Sequence, residues 1–408
     1  MSGVEQSGRA GEKLRSAESA ALPPDLRLQV SALGESPLEA QLSLEERAAP
    51  STETLGAREL LIKIHAAPIA WVDLMMLTGQ YQQRPPIPYT PGLEYSGEVL
   101  ATGVEARARF QPGARVIVDF LSAGPRSGGA YARWGGCARY GVAPLEAVHP
   151  IPKGLDFPEA ATLMGAYETA YHCLIERGQL RAGERLLLHG ASGATGLAAL
   201  QIALAVGAEV VATGRSQAKL EQIKALGASV TLPLSAPSDP SAPYRLREAL
   251  EAALGVGARA DLCYDPIGGH LSVESLRALR FGGRHLVVGW TSTPKAGRRR
   301  AALNSAGVRG VTAPANQLPT HLILMKGISV LGCPMVISTQ RDPALREPRL
   351  ETLWRWLREG KLHPQLSHRY ALSNYLMALE ARWRGEVLGG CVLLPWSDDR
   401  ISSSPKPS

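Results

Sequence analysis

The period of the apolar positions changes along this chain near Pro152. Before that point, Leu26-Arg-Leu-Gln-Val30 and Glu59-Leu-Leu-Ile-Lys-Ile-His65 alternate apolar and polar residues as half-buried strands do. Gly97-Glu-Val-Leu-Ala101 and Arg115-Val-Ile-Val118 are further short strands, separated by Gly and Pro punctuation. Together they predict a β-rich domain of irregular barrel type. From Phe157 the spacing becomes helical, over Phe157–Met164 and Ala166–Arg177. The first of these helices opens on Asp156 as N-cap with Pro158 at N1. Strands and helices then alternate: strand 186–189, helix 196–206, strand 209–213, helix 216–226, helix 244–254, strand 260–264, helix 271–279 and strand 284–289, with a late strand at 328–331. A polar, Pro-rich connection runs from Pro233 to Pro243. Alternation of this kind predicts an α/β fold with a doubly wound parallel sheet and right-handed crossovers. After about Gln340, a helix over 349–359, a short β-like segment and a strand at 390–394 fit neither that sheet nor a new domain. They are expected to return to the first domain. The predicted organisation is a flexible tail 1–24, a β-rich domain from 25–155 and 341–396, a doubly wound domain 156–340 and a tail 397–408.

Within the alternating region, Leu186-Leu-Leu-His-Gly-Ala-Ser-Gly-Ala-Thr-Gly-Leu197 carries the chemistry. An apolar run ends at Gly190, glycines follow at Gly193 and Gly196, and a helical pattern begins at once. A parallel strand hands over to a helix in this way around a dinucleotide pyrophosphate. The backbone must turn tightly and approach the phosphates, and the helix N-terminus offers N–H groups and partial positive charge. A glycine triplet alone is weak evidence in a chain with 42 glycines, but a strand before it, a helix after it and a second strand at the right distance supply the context. The bland alternative is a glycine-rich turn in some other α/β protein. At the end of the second strand, Thr213-Gly-Arg-Ser-Gln-Ala-Lys219 has no Asp or Glu to hold a ribose 2′-hydroxyl. Arg215, Ser216 and Lys219 instead suit a 2′-phosphate, which favours NADPH over NADH. Alternatively, Arg215 and Lys219 are the exposed polar face of the next helix.

Composition narrows the class further. A length of 408 residues suggests about two domains. The net charge of +7 is modest and spread out. Arg298-Arg-Arg300 is the tight basic cluster, too short for many phosphate contacts, and is expected in a solvated loop; nucleic acid is not an expected partner. Five scattered cysteines with no C-x-x-C pair point to free thiols in a reducing compartment, and a cytoplasmic location is expected. No apolar run of membrane-spanning length occurs, so no membrane span is expected. Residues 1–24 lack the apolar core of a secretory signal, and their acidic residues weaken an organellar one.

Several phrases occur in one order: Pro91-Gly-Leu-Glu-Tyr-Ser-Gly-Glu-Val99, Thr169-Ala-Tyr-His-Cys173, His189-Gly-Ala-Ser-Gly193, Tyr264-Asp-Pro-Ile-Gly-Gly269 and Val287-Val-Gly289. On these the chain resembles the medium-chain dehydrogenase/reductase superfamily, in its zinc-free quinone oxidoreductase (zeta-crystallin-like) branch, over roughly residues 26–395. The resemblance implies a GroES-like catalytic domain, an inserted Rossmann domain, a cleft between them and a homodimer. Zinc-dependent members place Cys and a His-Glu pair where this chain has Ile69-Ala-Trp-Val-Asp73 and Gly92-Leu-Glu94, so no catalytic metal is expected. Matching residue by residue, Tyr81 is similar to the family tyrosine beside the nicotinamide, with a positioning and proton-donating role; packing in the barrel is the alternative. Asp73 matches a family Asp for which loop capping and substrate contact weigh equally. The family commonly has Asn where Ala70 stands, a departure that bears on the cleft. By the same matching, Ser192, Gly193, Ala194 and Thr195 bracket the pyrophosphate, Gly289-Trp290-Thr291 flanks the cofactor, and Gly332 and Cys333 face the nicotinamide. The segment 291–315 exceeds the usual family connection and is expected to be a surface insertion, with a lid or partner site as the alternative.

Without a Lewis acid, such an enzyme needs an acceptor that is already electrophilic: a quinone, or an alkene conjugated to a carbonyl. The expected function is therefore NADPH-dependent hydride transfer to such an acceptor. An enoyl-thioester reductase of the same fold and a weakly catalytic NADPH-binding protein with an interaction role are the alternatives.

Overall fold

The computed structural model describes residues 22–81, 83–234, 245–291 and 317–397. Most of the predicted tails, the connection after Leu234, the insertion from 292 onward and the Arg298–Arg300 cluster lie outside the described residues.

Strands β1 (Asp25–Ala32) and β2 (Gln41–Arg47) form an antiparallel pair. Strands β3 (Glu59–Pro68), β4 (Tyr95–Thr102), β5 (Arg115–Val118), β6 (Tyr140–Pro144) and β7 (Val148–Pro150) follow, with helix α1 (Trp71–Leu77) between β3 and β4. Near the chain end come β14 (Leu366–Ala371), α11 (Tyr375–Trp383) and β15 (Gly390–Leu394). β15 pairs antiparallel with β3, which closes a sheet ordered β14-β15-β3-β4-β5-β7 with β6 on β3. Late and early chain therefore share one core.

Helices α2 (Phe157–Ala161) and α3 (Met164–Tyr171) lead out of this sheet, the second running on through a wider turn at His172–Arg177. The parallel part comprises β8 (Arg185–Leu188), α4 (Ala194–Val206), β9 (Glu209–Gly214), α5 (Gln217–Ala225) and β10 (Val230–Pro233). It continues through α6 (Leu246–Leu254), β11 (Ala260–Asp265), α7 (His270–Ala278), β12 (Leu279–Val287), α8 (Thr320–Lys326) and β13 (Ser329–Gly332). All five pairings are parallel, in the order β10-β9-β8-β11-β12-β13. That is the doubly wound order whose switch point falls between its first and fourth strands, β8 and β11. Central strands buried on both faces need continuous apolar runs, and Leu186, Leu187 and Leu188 are fully buried. The GroES-like plus Rossmann architecture expected from the family resemblance is the architecture of the chain.

Short or polar strands are where the pattern was silent. β2 is largely exposed and ends in Glu45-Glu-Arg47, so its place comes from pairing with β1 rather than from its own apolar face. β10, α8 and α9 (Met335–Arg341) were likewise not predicted, each being under eight residues. β12 starts at Leu279, five residues before the predicted 284, because its register slips across Gly282-Gly283.

Helix α10 (Arg346–Arg358) ties the two sheets together. Arg346 bonds both Glu168 of α3 (2.8 and 3.1 Å) and Asp119 at the end of β5 (2.8 Å). Arg349 bonds Glu176 (2.8 and 3.0 Å), Glu168 (3.3 Å) and Thr339 of α9 (3.1 Å). Burial would raise Asp119, yet the bonds from His149 and Arg346 hold its carboxyl below the usual range. Every charge in this network has a partner, which is the condition for a buried polar cluster to fix one arrangement of its elements.

Candidate active site

In a parallel sheet the loops after the strands gather on one edge, and the switch point opens a crevice there. The glycine turn after β8 sits at that crevice. Gly190 has φ +65°, and a Cβ there would stand 3.1 Å from the Pro266 ring after β11. The Gly193 N–H donates to Gly190 O at 3.0 Å, and α4 starts at the next residue. A Cβ on Gly196 would lie 2.1 Å from Gly190 O and 2.9 Å from Ala191 Cα, so no side chain fits. Ser192, Gly193, Ala194 and Thr195 are half-buried on the rim, beside first-turn N–H groups of α4 that have no intrahelical acceptor. The turn is also held from the other domain, because the Gly389 N–H donates to Ser192 O at 2.9 Å.

Two buried polar groups brace the turn from behind. His189 lies between the Thr213 and Ser275 hydroxyls, 2.7 Å from each, and burial pushes its pKa down to about 4, so it is neutral. Asp265 accepts from the Ile267 and Gly268 N–H groups (2.8 and 2.9 Å) and from the Ser272 hydroxyl. Burial opposes its charge, but the His285 contact and those hydroxyl and imidazole neighbours hold it well below the usual carboxylate range.

After β9, Arg215 and Ser216 are exposed; Ser216 caps α5, its hydroxyl accepting from the Lys219 N–H at 3.4 Å. The three residues stand together, but not equally free. Lys219 Nζ donates to Gly385 O (2.5 Å) and Val387 O (2.9 Å) of the other domain, whereas Arg215 has no hydrogen-bond or ion-pair partner among the described residues. Burial, Arg382 and Arg215 together lower the Lys219 pKa.

On the same edge, the Gly289 N–H meets Asp265 O at 3.4 Å and Thr291 N–H donates to Pro266 O at 3.1 Å, with Trp290 exposed beside them. Gly332 ends β13 and its carbonyl accepts from Arg177 Nε at 3.0 Å. Cys333 is buried and its N–H reaches Val287 O at 3.1 Å. The parallel topology thus brings 190–196, 289–291 and 332–333 to one edge.

The residues matched on the acceptor side divide. Asp73 is buried and gives one oxygen to the Ala70 N–H (2.8 Å) and the other to the Gly92 N–H (3.2 Å). Burial pushes its pKa up to about 6. Both oxygens serve the backbone, as in the loop-capping alternative: Oδ2 caps the α1 start, where Ala70 has no capping side chain, and Oδ1 ties in the Gly92 loop. Tyr81 is half-buried against the core, and its hydroxyl accepts from Arg126 Nη1 at 3.2 Å. Arg126 and Glu94 were not singled out from the sequence. Arg126 sits in a glycine-rich loop with no periodic signal; Glu94 stands in the Pro91–Val99 phrase without a mark of its role. Glu94 accepts from the Gly165 N–H at 2.8 Å, and burial lifts its carboxyl from 4.5 to about 8, so it is neutral at pH 7. Between those two values the folded protein keeps a proton that the unfolded chain releases, so stability falls as pH rises through that window and levels off above it. Glu94→Gln is expected to flatten this fall, seen as melting curves that diverge in its favour from pH 5 to pH 8; parallel curves would show the carboxyl titrating normally. Among the described residues no group of three or more His, Cys, Asp or Glu side chains is placed to hold a metal ion. No helix among them is long and apolar enough to cross a membrane.

The chain matches the alcohol dehydrogenase GroES-like domain over residues 56–153 and the zinc-binding dehydrogenase domain over residues 194–346. It is similar to the quinone oxidoreductase of Homo sapiens, 31% identical over 256 residues, covering 62% of this chain and 71% of that protein. Quinone oxidoreductase-like protein 2 of Mus musculus is 28% identical over 339 residues, covering 82% of this chain and 85% of the relative. Among solved structures, a probable oxidoreductase from Mycobacterium abscessus superimposes with a TM-score of 0.72 at 27% identity, covering 91% of this chain and all of the other. A quinone oxidoreductase from Thermus thermophilus, solved also with NADPH, gives a TM-score of 0.69 at 24% identity over 90% of this chain and 99% of that one.

Proposed function

Because the chain belongs to the quinone oxidoreductase branch of the medium-chain dehydrogenase/reductase superfamily, we propose that it is an NADPH-dependent reductase of quinones or similar conjugated carbonyls. The observation that carries the dinucleotide is the Gly190–Gly196 turn at the switch point, where the missing Cβ of Gly196 leaves the backbone bare. The residues fit the cofactor. First-turn N–H groups of α4 would meet the pyrophosphate, and exposed Arg215 with the Ser216 hydroxyl would meet a 2′-phosphate. NADPH, when bound, supplies a hydride.

What the chain itself does is bind, orient and move a proton. Tyr81 offers a hydroxyl to the acceptor while Arg126, bonded to its oxygen, favours charge developing there. Hydride and proton transfer to a conjugated acceptor requires no metal, and the Asp73 carboxylate and the protonated Glu94 carboxyl are tied to backbone N–H groups. The five cysteines are buried and unpaired, in keeping with a reducing cytoplasm. A homodimer is also part of this reading: β13 is an edge strand, with Phe281, Leu324, Met325 and Val330 exposed. Sedimentation should then give twice the 43.5 kDa chain mass.

The test is oxidation of NADPH or NADH by ortho- and para-quinones, enals and enoyl thioesters, followed by loss of reduced-dinucleotide absorbance. A quinone or enone should be turned over, with NADPH preferred. If NADPH binds and nothing oxidises it, the catalytic reading fails. Faster reduction of an enoyl thioester than of any quinone would move the substrate class instead.

A further inference from the structure

Arg126 is a buried cation with an edge that has no hydrogen-bond partner among the described residues. Its side chain is more than nine-tenths buried, yet Nε has no hydrogen-bond partner among the described residues. One corner is fixed: Nη1 donates to the Tyr81 hydroxyl at 3.2 Å, and the guanidinium lies 4.3 Å above the Phe120 ring. The nearby carboxylates are engaged elsewhere. Asp73 serves two backbone N–H groups, Glu94 serves the Gly165 N–H, and Asp119 serves His149, Arg346 and the Leu121 N–H. Burial keeps Glu94 protonated at pH 7, so it leaves the charge on Arg126 uncancelled. Buried charges are ordinarily paired and buried donors ordinarily bonded, so a guanidinium left unpartnered in this way points to a ligand.

The loop that carries Arg126 is set in advance. Gly124 and Gly128 both have φ near +70°, and a Cβ on Gly124 would come within 2.7 Å of Leu93 O, next to Glu94. Ser127 fastens the turn, its N–H and hydroxyl both donating to Gly124 O (3.0 and 2.8 Å). Such a support holds a binding group without reorganisation when the ligand arrives.

We propose that Arg126 is an acceptor-binding residue, and that the preferred acceptors of this protein carry a carboxylate, gripped by the guanidinium beside Tyr81. A planar fork of donors matches two coplanar oxygens sharing one negative charge. A neutral quinone or ketone oxygen needs only a neutral donor, which Tyr81 already provides. The acceptor gains a hydride at carbon and one proton, the dinucleotide is oxidised, and the carboxylate emerges unchanged. The inference rests on the reductase reading above and adds the substrate class.

The test pairs acceptors that differ only in this charge: 3-benzoylacrylate and its methyl ester, with NADPH as donor. The parent protein should favour the acid in kcat/KM by roughly 10–100-fold, the worth of one charge-assisted bidentate contact, chiefly through KM. In Arg126→Met the acid-to-ester ratio should collapse toward one, and Arg126→Lys should recover part of it. A structural role alone would lower both acceptors together and leave the ratio untouched. Equal use of acid and ester by the parent, or an unchanged ratio in Arg126→Met, overturns the proposal while leaving the reductase reading intact. Calorimetric binding of the saturated acid 3-benzoylpropanoate needs no turnover. Binding to the parent that Arg126→Met loses supports the proposal even if no acceptor is reduced, and absence of binding to the parent overturns it.

Discussion

A Gly196→Ala variant is expected to lose dinucleotide binding altogether and to melt roughly 4–12 °C below the parent, the cost of overpacking a rigid site in a domain of this size. The added Cβ would stand 2.1 Å from Gly190 O and 2.9 Å from Ala191 Cα. Both are backbone atoms, so no side-chain rotation relieves the clash. Either the 190–193 turn opens or the start of α4 withdraws, and each moves the N–H groups meant for the pyrophosphate. The neighbouring glycine gives an internal control. Gly193 has φ −77°, and its Cβ would meet Gly190 O at 3.4 Å, an ordinary contact. Gly193→Ala should therefore melt within about 2 °C of the parent, as surface-like substitutions do. NADPH fluorescence titration and thermal melts of both variants decide the matter. Equal behaviour of the two, in either direction, would mean that the clash at Gly196 is not what shapes the turn.

The alternation of strand and helix and the spacing of Gly190, Gly193 and Gly196 are local properties, which is why both were legible in the sequence. Period, length and flanking residues carry them without help from the rest of the chain. The difference between Gly193 and Gly196 is not local, because it depends on where the carbonyl of Gly190 comes to rest. The same holds for Lys219. As a residue type it suits a phosphate, yet the fold places its ammonium on the carbonyls of Gly385 and Val387, 166 and 168 positions away. The buried network of Arg346 and Arg349 with Glu168 and Glu176 likewise spans well over a hundred residues and left no pattern. Arg126 illustrates the remaining gap. An arginine amid glycines reads as a solvated turn, and only the packing of its loop against Leu93 shows it to be buried beside Tyr81. Asp73 was legible as a type but ambiguous in role, and its two backbone partners, set by the fold, are those a capping residue makes.

Cofactor choice should respond to Arg215 more than to Lys219. Arg215→Gln is expected to weaken NADPH by about 10–100-fold, the range for one charge-assisted contact to a phosphate, and to change NADH by no more than about threefold. Arg215 is exposed and has no partner among the described residues to give up, so its full donor set is available. Exposure also makes the contact sensitive to screening, and the gap between parent and variant should narrow as ionic strength rises. Lys219 starts from two hydrogen bonds to the 385–387 loop and must lose or share one to reach a phosphate. Its burial and the neighbouring charges of Arg382 and Arg215 already work against its ammonium. Lys219→Met should accordingly cost less in NADPH affinity than Arg215→Gln, while lowering the melting temperature more, because it unfastens a link between the two domains. Titrations with both dinucleotides at two salt concentrations separate these effects. A larger cofactor penalty from Lys219→Met would mean that the 385–387 loop surrenders the ammonium on binding, and the order of the two residues would reverse. Unchanged NADPH affinity in Arg215→Gln together with tighter NADH binding would remove the 2′-phosphate from the site.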